Sequence, residues 1–98
     1  MKLPADAAAE EALIGACLLG AEPEDVSAED FHASVTRRTW EAITELYAHG
    51  EPVELVTVAA RSNIDRLELF GWQESSAGPQ SAPHYAKIVK DTAMRRRI

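Results

Sequence analysis

"VELVTVAARS", Val53 to Ser62, supports two opposite readings. Its β-branched residues and the alternation of Val53, Leu55 and Thr57 favour a strand, while Glu54 ahead of an Ala-rich end permits a short helix. Pattern alone leaves the segment open. A lone strand is not viable without partners, and no other part of the chain reads as a strand. Context therefore tips 53–62 towards helix, and the fold towards a small all-α bundle of about five or six short helices.

Upstream, "SVTRRTWEAITELYAHG" has the clearest helical period, running from Ser34 or Thr36 to His49. Trp40, Ile43 and Tyr47 form one stripe flanked by Leu46, all four expected in the core, and Gly50 and Pro52 end the helix. Earlier still, "DAAAEEALIGACLLG" predicts a first helix capped by Asp6 and stopped by Gly20. Leu13, Ile14, Cys17 and Leu18 share a face. Gly15 inside this helix costs about 1 kcal/mol relative to Ala, which implies a second helix crossing closely there. Between the two helices "AEPEDVSAEDF" is an acidic connector, with Ser27 as the cap of one short turn ending at Phe31.

Downstream, "NIDRLELFGWQ" offers Asp65 as a cap and Gly71 as a terminator for barely two turns, leaving Trp72 beside the polar loop "ESSAGPQS". Ser81 is then the expected cap of a last helix with Pro83 in its first turn and a buried stripe of Tyr85, Ile88, Val89 and Thr92.

The last fifteen residues, "HYAKIVKDTAMRRRI", hold five of the chain's ten Lys and Arg but one of its sixteen Asp and Glu. The net charge of −6 argues against the whole domain lying on nucleic acid, since phosphate binding relies on clustered cations. Only this terminal segment could do so, through Lys87, Lys90 and the three arginines, and it lacks an aromatic platform.

Ninety-eight residues make one domain, 1–98, with a small core, and 46% hydrophobic content with 27% charge is ordinary for a globular chain. No apolar run is long enough to span a membrane and the start does not read as a signal peptide, so a cytoplasmic protein is expected. Cys17, alone, reads as a small buried hydrophobe. His32, His49 and His84 lack the spacing of a metal site, and carboxylate pairs such as Glu10 and Glu11 sit at helix starts, where solvated charge is normal. No Gly-rich phosphate loop and no nucleophile with a paired base occur. No catalytic, cofactor-binding or metal residues are assigned.

Three blocks in order, "EEALIGACLL", "RRTWEAITELYAHGEPVELVTVA" and "HYAKIVKDTAMRRRI", resemble the N-terminal domain of bacterial replicative DNA helicases of the DnaB type. The middle block carries most of the likeness: Leu46-Tyr47, a Gly, Pro52-Val53, then Glu54 to Thr57. Between Arg61 and Ser81 the chain departs from that family, with a shorter stretch. The resemblance implies an all-helical orthogonal bundle, with residues 53–62 helical and the last helix interrupted at the start of a helical hairpin. It implies a non-catalytic collar in a hexameric ring of like subunits that docks primase, and a possible helicase loader as a further partner. ATP and magnesium would belong to a separate motor domain, not to this one. Direct DNA binding and membrane contact are not expected.

On this reading Met94, Arg95, Arg96, Arg97 and Ile98 are the candidate protein interface, with Trp72, stranded after Gly71, as a second site. Two other roles share the likeness: the helicase-binding domain at a primase C-terminus, and a stand-alone acidic adaptor regulating helicase loading. The Pro-Val-acidic-Leu-Val-Thr string favours the helicase side.

Overall fold

A computed structural model describes residues 6–98. Five helices, α1 (Ala7–Leu18), α2 (Ser34–Ala48), α3 (Leu55–Ser62), α4 (Arg66–Ser75) and α5 (Ala82–Arg97), are joined by loops that contain 3₁₀ turns at Ala28–Asp30 and Pro79–Ser81. The described residues contain no strand. α1 lies at the centre, with α2, α4 and α5 packed around it, while α3 bridges α2 and α4.

The ambiguous segment resolves at its first residues. Pro52 and Val53 precede the helix, and Glu54 becomes its N-cap, accepting hydrogen bonds from the backbone N–H of Thr57 (2.8 Å) and Val56 (3.2 Å). Thr57 Oγ1 accepts the N–H of Glu54 in return (3.2 Å), so the two residues form a capping box with the usual roles exchanged. These N–H bonds hold the Glu54 carboxyl below the ordinary carboxylate range. α3 then turns Val58 fully into the core and leaves Val56 exposed. It ends on Asn63, which takes the left-handed conformation (φ 60°) that Asn tolerates better than most residues.

α1 departs from the one-sided stripe the sequence suggested. Every residue from Ala12 to Leu18 is buried, because three helices contact it on different sides. Its N-cap is Asp6, whose carboxylate accepts the Ala9 N–H at 3.0 Å. The crossing implied by Gly15 is present: a β-carbon there would lie 2.2 Å from the Trp72 carbonyl oxygen and 2.8 Å from its carbon. Only glycine lets the α4 backbone approach so near.

That contact also corrects the reading of α4. The helix does not stop at Gly71 but continues to Ser75, carrying Leu69 and Trp72 into the core three residues apart. Trp72 is 7% exposed and is core, not interface. Burying an indole stabilises by several times the ~1 kcal/mol that an interior glycine costs, so the helix runs through Gly71. Leu67 and Phe70 face outward.

Trp40 and Phe31 pack with ring centroids 5.0 Å apart, both fully buried, and the indole N–H of Trp40 donates to the Val26 carbonyl at 2.9 Å. Ile43 and Leu46 join them as expected, but Tyr47 is half exposed near the end of α2. Gly50 (φ 70°) ends that helix. Ser81 precedes α5 without making the expected side-chain cap. The α5 stripe is Ala82, Ala86, Val89, Thr92 and Ala93, with Tyr85 and Ile88 half buried at its edge.

Three expectations can be measured. Gly15→Ala should destabilise the fold by about 1–3 kcal/mol in urea denaturation, because overpacking against backbone outweighs the helix propensity gained. Gly71→Ala, with open space around its β-carbon, should instead stabilise by up to ~1 kcal/mol. Burial pushes the Cys17 thiol up to about 12, with Glu24 adding to the shift. A thiol-specific reagent at pH 8 should therefore label the native chain far more slowly than the chain in denaturant.

Candidate protein interface

The basic end of α5 is partly folded back onto its own domain. Arg96 donates to the backbone carbonyl of Asp30 at 2.7 Å, and Arg97 pairs with the Asp30 carboxylate at 2.8 Å. Asp30 is 8% exposed and uses its other carboxylate oxygen to accept the Ser27 N–H at 3.0 Å, closing a capping box over the 3₁₀ turn. One carboxylate thus both caps its own turn and holds the last turn of α5. Lys87 pairs with Asp91 at 2.9 Å, and Arg95 reaches Thr92 Oγ1 at 3.4 Å.

The loop that receives the arginines is itself pinned from α1. Glu10 is 2% exposed, and its carboxylate accepts the N–H of His32 (2.8 Å), the N–H of Ala33 (3.3 Å) and the hydroxyl of Thr36 (2.6 Å). The sequence placed Glu10 among solvated charges at a helix start. The structure corrects that: the first turn of α1 faces the entry to α2, and the carboxylate satisfies donors that would otherwise be buried unpaired. From α2, Arg37 donates twice to the Phe31 carbonyl (3.2 and 2.9 Å). Residues 26–36 are therefore tied to α1, α2 and α5 at once.

Of the residues singled out from sequence, Met94, Arg95 and Ile98 stay on the surface, Met94 at 61% and Ile98 at 98% exposed. Arg96 and Arg97 do not join them as free cations, since both engage Asp30. Trp72 lies apart from this end, in the core. The basic, apolar terminus is thus divided into an anchoring half and an outward half. Sequence reading missed Asp30 and Glu10. The string Ser27-x-x-Asp30 is a capping-box signal that could have flagged the first; nothing local flags Glu10, whose partners are 22 to 26 residues away.

Among the described residues no cluster of three His, Cys, Asp or Glu could hold a metal ion, and no helix is long and apolar enough to cross a membrane. His49 spends a ring nitrogen on the Glu45 carbonyl at 2.8 Å. What remains is an all-helical module with an anchored C-terminal rod, and residues 2–91 match the family described as the DnaB-like helicase N terminal domain.

The chain belongs to that family.

The curated replicative DNA helicases DnaB of Mycobacterium leprae (31% identical) and Leifsonia xyli (32%) each align with 97% of the chain, as does the replicative DNA helicase DnaC of Bacillus subtilis (32%). The chain spans 18% of the first and 24% of the other two. The crystal structure of the N-terminal domain of DnaB helicase from Mycobacterium tuberculosis superposes with a TM-score of 0.92 at 29% identity, covering 98% of this chain and 76% of that one. The alignment to the Mycobacterium leprae helicase runs over 112 positions, more than the 98 residues of this chain, so that relative carries residues that are missing here.

Glu10→Ala should cost about 2–4 kcal/mol by chemical denaturation, since it strands several donors around a buried site. Arg97→Ala, at a largely exposed ion pair, should cost less than about 1 kcal/mol, yet it should speed amide exchange in the last turn of α5.

Proposed function

We propose that this domain serves, without a reaction of its own, as the N-terminal part of a replicative DNA helicase, supporting ring assembly and docking primase during DNA replication. The observation that carries this reading is the near-complete superposition on the N-terminal domain of a DnaB helicase, over 98% of the chain. The match of residues 2–91 to the DnaB-like helicase N terminal domain supports it. ATP and magnesium would act in a motor domain, and like subunits would assemble into a hexamer, with a helicase loader as a further partner. Met94, Arg95 and Ile98 are the subunit-facing candidates, while Arg96 and Arg97 set the direction in which α5 leaves the bundle.

The test uses the full-length gene product. With residues 1–98 present, light scattering should give a hexamer and a primase pull-down should capture it. Without them the assembly should weaken and primase capture should be lost, while ATP hydrolysis survives. Nucleotide turnover by the 98-residue chain alone, or assembly and primase capture indifferent to its removal, would overturn the proposal.

A further inference from the structure

A groove of about 350 Å³ opens between the first turns of α1 and the first half of α5. Ala9, Ala12, Tyr85 and Ile88 give it an apolar wall, and Asp6 and Glu11 stand at its edge. Its volume lies at the small end of the roughly 300–1,000 Å³ typical of binding pockets, room for one or two side chains. Tyr85 and Ile88 are partly buried beside core residues, so some apolar surface remains there in a concave setting.

The charge around it is one-sided. Among the described residues neither Lys nor Arg lines the groove. Four carboxylates elsewhere pair with cations: Asp30 with Arg97, Glu45 and Glu51 with Arg61, and Asp91 with Lys87. Among the described residues Glu11 makes no ion pair, nor does the nearby Glu68 on α4. Partial burial raises the Glu11 pKa, and repulsion from Glu68 and from Glu10 raises it further. A cation at the rim would relieve that crowding. An acidic rim repels phosphates, which weighs against nucleic acid or an anionic lipid surface as the occupant.

We propose that this groove is a docking site for a basic segment of a partner protein that inserts one leucine-like side chain between Tyr85 and α1 and sets a flanking Lys or Arg beside Glu11. The apolar wall supplies affinity and the carboxylates supply selection, so a neutral or acidic segment of the same shape is discriminated against. The site does not rest on the helicase role, and its α1 and early α5 residues are separate from the Met94–Ile98 end.

The test titrates the intact, isotope-labelled chain with a synthetic helical peptide bearing a leucine stripe flanked by lysines, followed by amide chemical shifts. Saturable changes confined to Ala8–Ala12 and to Tyr85–Ile88 are expected, weakening about tenfold or more when the peptide's lysines become glutamates or its leucines become serines. Glu11→Lys should weaken binding by a similar factor while leaving the remaining spectrum folded, and Ile88→Ser provides a second variant aimed at the apolar wall. Changes spread over the acidic 22–30 connector, binding indifferent to Glu11→Lys, or no saturable binding would overturn the proposal. So would binding that develops only after residues 1–5 are removed, since that would make the chain's own start the occupant.

Discussion

The Trp72 carbonyl occupies the place where any side chain at position 15 would begin, and this backbone-to-backbone approach organises the bundle. It lets α4 lie directly on α1, which in turn buries Trp72 and Leu69 and surrounds the middle of α1 with protein. Because α1 is covered on several sides, the other helices are positioned largely by their distance from it. A domain this small has few core residues to lose, so one forced separation of about a methyl group would propagate to α5 and α3.

Polar chemistry in this domain is spent on geometry. Glu10 pulls the entry of α2 onto α1, Asp30 caps its own turn and grips α5, and Arg37 holds the carbonyl of Phe31. Together they make the 26–36 connector, acidic and irregular by composition, one of the most heavily tied parts of the molecule. Its rigidity is transmitted to the direction of the last helix through Arg96 and Arg97.

The charge asymmetry along the chain has a corresponding division in space. Half the cations of the chain sit on α5, and two of those near its end are drawn to Asp30 rather than left for an external anion. The groove edged by Asp6 and Glu11 lies beside the other end of that helix. One element therefore carries an anchored basic terminus and, at its start, the wall of an acid-rimmed groove.

Much of this was legible from residues. Asp6, Ser27 and Asp65 as caps, Gly15 as a crossing point, Cys17 as a buried thiol and the Trp40–Ile43–Leu46 stripe all follow from local rules, because each depends on neighbours within one or two turns. Residues 53–62 could be called helical only by elimination and resemblance, although the Glu54-x-x-Thr57 pair was a local signal. Three readings failed for one reason: Trp72 became core, Gly71 stayed helical and Glu10 was buried, in each case because a segment distant in sequence packed against it. The amino-acid order by itself determined where helices begin and which short stretches are amphipathic, since caps and periodicity act over a few residues. Which charges are buried, which arginines are already engaged and where an unpartnered groove remains were decided only by the tertiary structure, because burial and charge pairing depend on distances that chain order does not specify.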